Sequence, residues 1–253
     1  MGTREWSSCS GLPNYRTLEN PEDREEIAQF WNIDVDFLPT KRGLFQTDIY
    51  RAIETGEIKG LWLIATNPLS SLPNTGRVRK AMEKLEFCVV QDCYEDTESA
   101  QYAHVFLPAG TWAEKSGVMT NTERRVNLVK PIIKPIGDSK PDFWIFTEMA
   151  KRFNVDNKVD FPITSEAVFE EMKLLSKDRL CDISGMDYEN IEKNRGIQWP
   201  YTEKQVQNNE PPPAGGKRIY TEEASFSYAD GKAKLIALPF IDNNEVPDEK
   251  FPI

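Results

Sequence analysis

Three short apolar segments that end in polar residues constrain the fold more than any other feature of this sequence. The first is the continuous run Leu61–Ala65, and the others lie in EFCVVQD (86–92) and HVFLPA (104–109). Continuous apolar runs of this length are typical of strands that are buried on both faces. Helical patterns at 75–85 and 95–103 separate the three runs. This order predicts an α/β fold, with a Rossmann-like parallel sheet, right-handed crossovers and flanking helices.

Further helices are predicted on both sides of this unit. NPEDREEIAQFWNI carries a helix start signal, with Asn20 as N-cap, Pro21 at the first position and acidic residues in the first turn. Helical patterns also occur at 47–58, 140–153 and 165–178. NNEPPPAGGK (208–217) has the composition of a linker, and residues 217–240 alternate around ADG, which predicts a β-hairpin.

Charge and composition argue against several classes of function. The formal net charge of -10 disfavours a general nucleic-acid or anionic-membrane partner. No apolar run approaches the ~20 residues of a membrane span. The four cysteines form no CxxC pattern, and their spacing fits neither a zinc site nor an iron–sulfur cluster. The single histidine, His104, has no Ser or Cys partner arrangement, so a structural or surface role is expected.

Polar residues follow each predicted strand. Thr66 and Asn67 come after the first strand, and Gln91 and Asp92 end the second. The third is followed by WAEKSGVMTNTERR (112–125), a charged stretch without a helical or strand period of its own, which predicts a turn. Because ligands of parallel α/β sheets gather at the carboxyl ends of the strands, these residues mark a ligand-binding edge.

Each polar residue at this edge has a functional and a structural interpretation. Asp92 could accept two hydrogen bonds from the N1–H and N2–H2 edge of a guanine, or cap the next helix. Asn67 could contact a ligand or form a plain Asn-Pro turn. Lys115 could reach a phosphate or be a solvated lysine. Asp142 could be a ligand carboxylate or an acid favoured at a helix start. The absence of GxGxxG and GxxxxGK[ST] weakens the usual nicotinamide and P-loop interpretations.

Three stretches in a fixed order resemble one enzyme family. They are IATNP, VVQDCYEDTESAQYAHVFLPAGTWAEKSGVMTNTERRVN and GDSKPDFWIFTEMAKRF. Together they resemble the catalytic subunits of the molybdopterin-dependent oxidoreductases, the bis-molybdopterin guanine dinucleotide enzymes of the dimethyl-sulfoxide-reductase class. The resemblance covers residues 58–153, and Val118 departs from it at a position often occupied by Thr. Residues 1–31, MGTREWSSCSGLPNYRTLENPEDREEIAQFW, are similar to the equivalent stretch of assimilatory and periplasmic-type nitrate reductases.

The resemblance implies roles for the edge residues. The positions that match contacts of the family with the guanine dinucleotide are Asn67, Gln91, Asp92, Lys115 and Asp142. The stretch 112–125 would wrap the cofactor. Its Glu123, Arg124 and Arg125 could by composition be an ion-pair cluster or line a phosphate channel, and the resemblance implies that they brace the turn. It assigns no catalytic residue and no metal ligand to this sequence.

The resemblance also implies parts that lie outside this sequence. In the family a [4Fe–4S] cluster motif and the molybdenum ligand lie upstream, and a β-barrel domain completes the cofactor sites. We therefore expect an internal part of a longer subunit that is not active alone. The predicted parts are an irregular lead-in with a helix (1–40), an α/β cofactor-binding domain (41–155), a helical or irregular extension (156–207), and a linker with a β-hairpin leading into the β-barrel domain (208–253).

The activity implied by the resemblance is the reduction of nitrate to nitrite at a molybdenum centre. Formate dehydrogenase, which uses the same cofactor, is the alternative within the enzyme class. A cofactor-free structural relative in a respiratory complex is the alternative outside it. The electron donor would be a ferredoxin, a flavoprotein or a cytochrome, and the expected compartment is the cytoplasm, with the periplasm as the alternative.

Overall fold

The structure is a computed structural model that describes residues 11–153, 164–216, 218–219, 226, 228, 230–241 and 247–250. The strands are β1 (Gly60–Ile64), β2 (Phe87–Asp92), β3 (Val105–Pro108), β4 (Gly117–Thr120), β5 (Arg125–Val129) and β6 (Ile197–Gln198). The helices are α1 (Pro21–Trp31), α2 (Gln46–Glu54), α3 (Pro68–Ser71), α4 (Thr75–Met82), α5 (Asp142–Phe153), α6 (Ser165–Ser176), α7 (Tyr188–Lys193) and α8 (Glu203–Gln207). Short 3-10 helices occur at Val35–Phe37, Ala100–Tyr102 and Trp112–Glu114.

Strands β1, β2 and β3 form a parallel sheet in that order. This confirms the predicted parallel sheet, and the strand bounds agree with the sequence pattern to within one residue at most ends. The predicted helices around the sheet are present as α2, α4 and α5. The helix start at Asn20 is also confirmed, because its side chain accepts a hydrogen bond from the backbone N–H of Glu22 at 3.0 Å.

Helices pack on both faces of the sheet, but they cover one of the two faces only in part. On one face α2 and α4 pack against the strands through a cluster of buried apolar side chains, among them Ile53, Val78, Ala81, Cys88 and Val90. On the other face the rings of Trp62 in β1 and Phe146 in α5 lie 5.7 Å apart. Ile64, Phe87 and Val105 on this second face are 38%, 50% and 40% exposed, so the expectation that the strands are buried on both faces is only partly met.

Strands β4, β5 and β6 form a second, antiparallel sheet. This corrects the prediction that 112–125 is a turn without regular structure, since β4 and the start of β5 lie within it. Most side chains of β4 and β5 are half-buried, and Val126 alone is fully buried, so the strands have no clear apolar period. The pairing with β6 shows that distant residues stabilise this hairpin.

The helix predicted over 95–103 is also wrong. Only the 3-10 helix Ala100–Tyr102 forms there, and the residues before it make turns. Local side-chain bonds compete with a helix in this segment, because Thr97 Oγ1 accepts a hydrogen bond from the N–H of Ala100 at 3.2 Å. Ser99 is fully buried and bonds to the loop after β1, which holds the segment in its irregular form.

The described residues up to Gly215 form one compact unit, and those from Gly216 onwards belong to a second. In the second unit the N–H of Gly231 donates to the carbonyl of Tyr228 at 2.8 Å, which forms a turn. Much of the hairpin predicted over 217–240 lies outside the described residues, and the described stretch 230–241 contains no strand. The β-barrel lead-in and the four-part domain division therefore stay predictions.

Candidate functional site

The carboxyl ends of the three parallel strands lie level with one another. Ile64 pairs with Gln91, and Asp92 pairs with Pro108. An extra backbone bridge joins Ala109 to Lys140 in parallel orientation, with hydrogen bonds of 2.9 and 3.0 Å on either side of it. This bridge brings the start of α5 to the same edge, so residues that are far apart in sequence meet there.

Gln91, Lys115 and Asp142 form one connected polar group at this edge. The Asp142 carboxylate accepts a hydrogen bond from Gln91 Nε2 at 2.8 Å, and its other oxygen accepts one from Lys115 Nζ in a salt bridge. Gln91 is fully buried, whereas the side chains of Lys115 and Asp142 are 31% and 28% exposed. Burial acts to raise the pKa of Asp142, but the bonds from Lys115 and Gln91 outweigh it and lower that pKa.

One atom of this group has no hydrogen bond. Gln91 Oε1 is buried and has no partner among the described residues. A buried acceptor without a donor costs about 1–3 kcal/mol, so such atoms are rare and usually point to an absent partner. A ligand that brings N–H or O–H donors to this edge, as a guanine or a pterin does, would fit the chemistry of this atom.

Asp92 lies beside this group at the end of β2 and is half-buried. Its Oδ1 accepts a hydrogen bond from the N–H of Tyr94 at 3.1 Å, which forms a local turn and not the predicted helix cap, because no α-helix follows over 95–103. No hydrogen bond to Oδ2 is formed by the part of the chain that the structure describes. One carboxylate oxygen is therefore engaged locally, and the other is available to a donor from outside.

The side chain of Asn67 is fully engaged within the protein. Its Oδ1 accepts a hydrogen bond from the buried Ser99 hydroxyl at 2.6 Å, and its Nδ2 donates to Glu98 at 2.6 Å. The preceding Ala65 has a left-handed φ of 50°, which is uncommon for a residue with a Cβ. These contacts fix the shape of the loop after β1, so Asn67 acts on this edge through the backbone it holds.

Sequence reasoning missed three residues that support the edge. Ser99 and Glu98 hold Asn67, and Glu114 is buried at the start of the charged stretch. The Glu114 carboxylate accepts hydrogen bonds from the N–H groups of Thr111 at 2.6 Å and Ile136 at 2.8 Å. These backbone bonds lower the pKa of Glu114. The Thr111–Glu114 spacing is that of a capping box, which is the signal that could have revealed this role.

Arg124 and Arg125 lie away from the Lys115 group and bind a different part of the chain. Arg124 donates to the carbonyl of Trp199 at 2.6 Å, and its guanidinium lies 5.1 Å from that ring centre. Arg125 donates to the carbonyls of Arg195 and Ala214. Both side chains thus anchor the β4–β5 hairpin, in agreement with the predicted bracing role.

His104 and the three cysteines that the structure describes have distinct environments. Nδ1 of His104 accepts a hydrogen bond from the N–H of Cys88 at 3.0 Å, which agrees with the structural role expected for it. Cys88 and Cys181 are buried, Cys93 is exposed, and none of these three forms a disulfide. Within the described residues no three His, Cys, Asp or Glu side chains are placed to hold a metal ion. No helix in those residues is long and apolar enough to cross a membrane.

The fold and the site define an α/β protein with a polar ligand edge at the carboxyl ends of a parallel sheet. The family described as molybdopterin oxidoreductase matches residues 19–152, more than half of the chain. A nitrate reductase of Synechocystis sp. is 39% identical over 236 residues, which cover 93% of this chain and 32% of that protein. The assimilatory nitrate reductase catalytic subunit of Bacillus subtilis is 36% identical over 251 residues, covering 99% of this chain and 33% of that protein.

A solved structure shares the fold. Acetylene hydratase from Pelobacter acetylenicus superposes with a TM-score of 0.51 at 20% identity, over 76% of this chain and 26% of that one. The chain belongs to the molybdopterin oxidoreductase family. It spans about a third of the length of the curated relatives it matches. Membership supports a molybdenum–molybdopterin cofactor, and the form of that cofactor and its contacts belong to the proposal below.

Proposed function

We propose that this chain is part of the catalytic subunit of a nitrate reductase and binds bis-molybdopterin guanine dinucleotide at the ends of β1, β2 and β3. The observation that carries the proposal is the group formed by Gln91, Lys115 and Asp142, which lies at the edge where Asp92 ends β2. Similarity to nitrate reductases over nearly the whole chain supports nitrate as the substrate.

Each edge residue has a role in this proposal. Asp92 accepts hydrogen bonds from the N1–H and N2–H2 edge of the guanine, because a carboxylate matches that edge and rejects adenine. Lys115 provides a positive charge for a phosphate of the dinucleotide. Gln91 accepts a hydrogen bond through its unpartnered Oε1. Asn67 shapes the loop after β1 through its bonds to Ser99 and Glu98.

Asp142 positions the lysine. Its carboxylate holds the Lys115 ammonium from one side while Gln91 holds the carboxylate from the other. A charge held in place before the ligand arrives costs less side-chain entropy on binding than a freely moving one. The lowered pKa of Asp142 keeps this carboxylate ionised at neutral pH, so the pair is present whenever the cofactor binds.

The bound molybdenum centre supplies oxygen-atom transfer, which converts nitrate to nitrite. This chain's residues contribute cofactor position and electrostatics. In the proposal the molybdenum ligand, a [4Fe–4S] cluster and the contact surface for an electron donor such as a ferredoxin, flavoprotein or cytochrome belong to other parts of the subunit.

The experiment compares metal loading of three single variants in the full protein that contains this chain. Asp92→Ala and Lys115→Ala are expected to lower molybdenum and releasable guanine nucleotide per protein, with an unchanged circular dichroism spectrum. Lys130→Ala is the matched control, because Lys130 forms a comparable exposed salt bridge with Glu192 away from the proposed contacts. Normal molybdenum content in both Asp92→Ala and Lys115→Ala would contradict the assignment.

The same preparations distinguish the activities. A nitrate reductase reduces nitrate with a viologen donor and leaves formate unoxidised. Formate oxidation without nitrate reduction would favour the formate dehydrogenase alternative. A wild-type protein that contains neither molybdenum nor guanine nucleotide would favour the cofactor-free structural relative.

A further inference from the structure

A second pocket lies between the first turns of α2 and α4, outside the residues assigned to the cofactor. Its volume is about 200 Å³, and it is lined by Thr47, Tyr50 and Arg51 from α2 and by Asn74, Arg77 and Val78 from α4 and its N-cap, together with Leu72 and Pro73. None of the five edge residues of the proposed cofactor site (Asn67, Gln91, Asp92, Lys115 and Asp142) lines it.

Two helix N-termini border this pocket, and neither is capped by a side chain. The N-cap residues Phe45 of α2 and Asn74 of α4 make no side-chain cap hydrogen bond. The first N–H groups of a helix have no intrahelical acceptor, and together they carry a partial positive charge. In α4 no acidic residue lies in the first turn to offset that charge.

The arginines of this pocket keep donors that are not used in salt bridges. Arg51 donates to Asp48 through Nη1 at 2.8 Å, and Arg77 bonds Glu54 through Nε and Nη2. Within the described residues, the remaining guanidinium N–H groups of both arginines have no acceptor. The two carboxylates balance the formal charge, so anion binding here depends on directed N–H donors.

Tyr50 provides an independent sign of a ligand. The residue is 5% exposed and lines the pocket, and its hydroxyl forms no hydrogen bond with the part of the chain that the structure describes. The ring is buried, but the hydroxyl is not among the buried unpartnered atoms of the described residues, so it keeps some access for a partner such as an anion. Burial raises the pKa of Tyr50 to about 12, so the hydroxyl keeps its proton and can donate to an anion.

We propose that this pocket binds a phosphate group, with the Tyr50 hydroxyl, the Arg51 and Arg77 guanidiniums and the Thr47 N–H in the first turn of α2 as donors. Phosphate at helix N-termini is a recurrent arrangement, and the guanidinium fork matches its oxygens. The volume exceeds that of free phosphate, so a small phosphate monoester also fits. This inference is independent of the proposed function, because it concerns different residues.

The test is calorimetric titration of the full protein that contains this chain with inorganic phosphate and with glycerol 3-phosphate, at constant ionic strength. We expect millimolar or tighter binding that Tyr50→Phe and Arg51→Gln each weaken at least fivefold. Arg79→Gln is the control, because Arg79 lies on α4 but does not line the pocket and its loss changes the net charge equally. Tighter binding of the monoester would identify a phosphate carried on an organic molecule, and equal binding would identify free phosphate.

Two results would overturn the proposal. One is the absence of binding of either probe to the wild type. The other is an equal loss of affinity in Arg51→Gln and Arg79→Gln with no effect of Tyr50→Phe, which would indicate non-specific charge attraction. Tyr50→Phe removes only a hydroxyl from a buried ring, so the thermal unfolding transition of this variant should match that of the wild type. A weaker phosphate affinity of the variant is then not explained by unfolding.

Discussion

The salt bridge between Lys115 and Asp142 allows a quantitative test before any cofactor is bound. The change is a double-mutant cycle made of Lys115→Met, Asp142→Asn and the double variant. Methionine is one atom shorter than lysine and asparagine has the shape of aspartate, and the amide oxygen of an asparagine at position 142 can still accept the bond from Gln91. The cycle therefore isolates the interaction between the two charges.

The expected coupling energy follows from the geometry and the exposure of the pair. Two unit charges about 4 Å apart interact by ~4 kcal/mol at an effective dielectric constant of about 20. The side chains are 31% and 28% exposed, so solvent screening, desolvation and lost side-chain entropy reduce this value. We expect a coupling of ~1–2 kcal/mol, above the ~0.2–1 kcal/mol of exposed pairs.

Urea unfolding of the four cofactor-free proteins at pH 7 measures this coupling. The pKa of Asp142 is lowered from 3.8, so the coupling is present above that pH and is lost as the pH falls through the lowered value. The exposed pair Lys130–Glu192, with side chains 58% and 57% exposed, is the control and should give under ~0.5 kcal/mol. A coupling below ~0.3 kcal/mol for Lys115–Asp142 would refute the view that the pair is formed before the cofactor binds.

Three further predictions concern other parts of the chain. The hydrogen bond from Arg16 is the main cause that lowers the pKa of Glu26 from 4.5 to about 2. Because Glu26 is half-exposed, Glu26→Gln should lower the free energy of unfolding in urea by under ~1 kcal/mol at pH 7. The loss should be smaller at pH 3, where the stabilisation by the ionised carboxylate is already being lost in the wild type. Ser99→Ala removes a buried hydroxyl that bonds Asn67, and should cost ~1–2 kcal/mol in the same assay and also lower molybdenum content. Ile27→Ala leaves a cavity in a fully buried position and should cost ~2–5 kcal/mol in urea unfolding without changing molybdenum per folded protein.

The parallel sheet could be predicted from sequence because its signal is local. Each strand is a short apolar run with few polar residues to interrupt it, because one face is buried against α2 and α4 and the other is apolar although part of it is exposed. The ends of these runs then place Asn67, Gln91 and Asp92 at one edge, as the structure also does. The strand pattern also placed Lys115 near this edge, because its stretch follows the third strand. For Asp142 only the resemblance indicated this edge, because the backbone bridge at Lys140 that brings α5 there has no local sequence signal.

The errors have a common physical origin in distant contacts. The segment 95–103 contains residues that favour helices, yet Ser99 and Glu98 bond to Asn67 and hold it in turns. Strand β4 pairs with β5, and β5, which begins at the end of 112–125, pairs with β6 about 70 residues later. Arg124 and Arg125 anchor this hairpin there. A local sequence pattern does not reveal a pairing between strands that are distant in sequence, because the apolar face of each strand is defined only together with its partner strand.

A crystal structure of the molybdenum-loaded protein that contains this chain would show where the cofactor binds. We expect a guanine whose N1 and N2 lie about 3 Å from the Asp92 carboxylate, with a phosphate of the same nucleotide at the Lys115 ammonium. A loaded protein whose guanine lies away from Asp92, with the group formed by Gln91, Lys115 and Asp142 facing only solvent or other protein residues, would contradict this expectation.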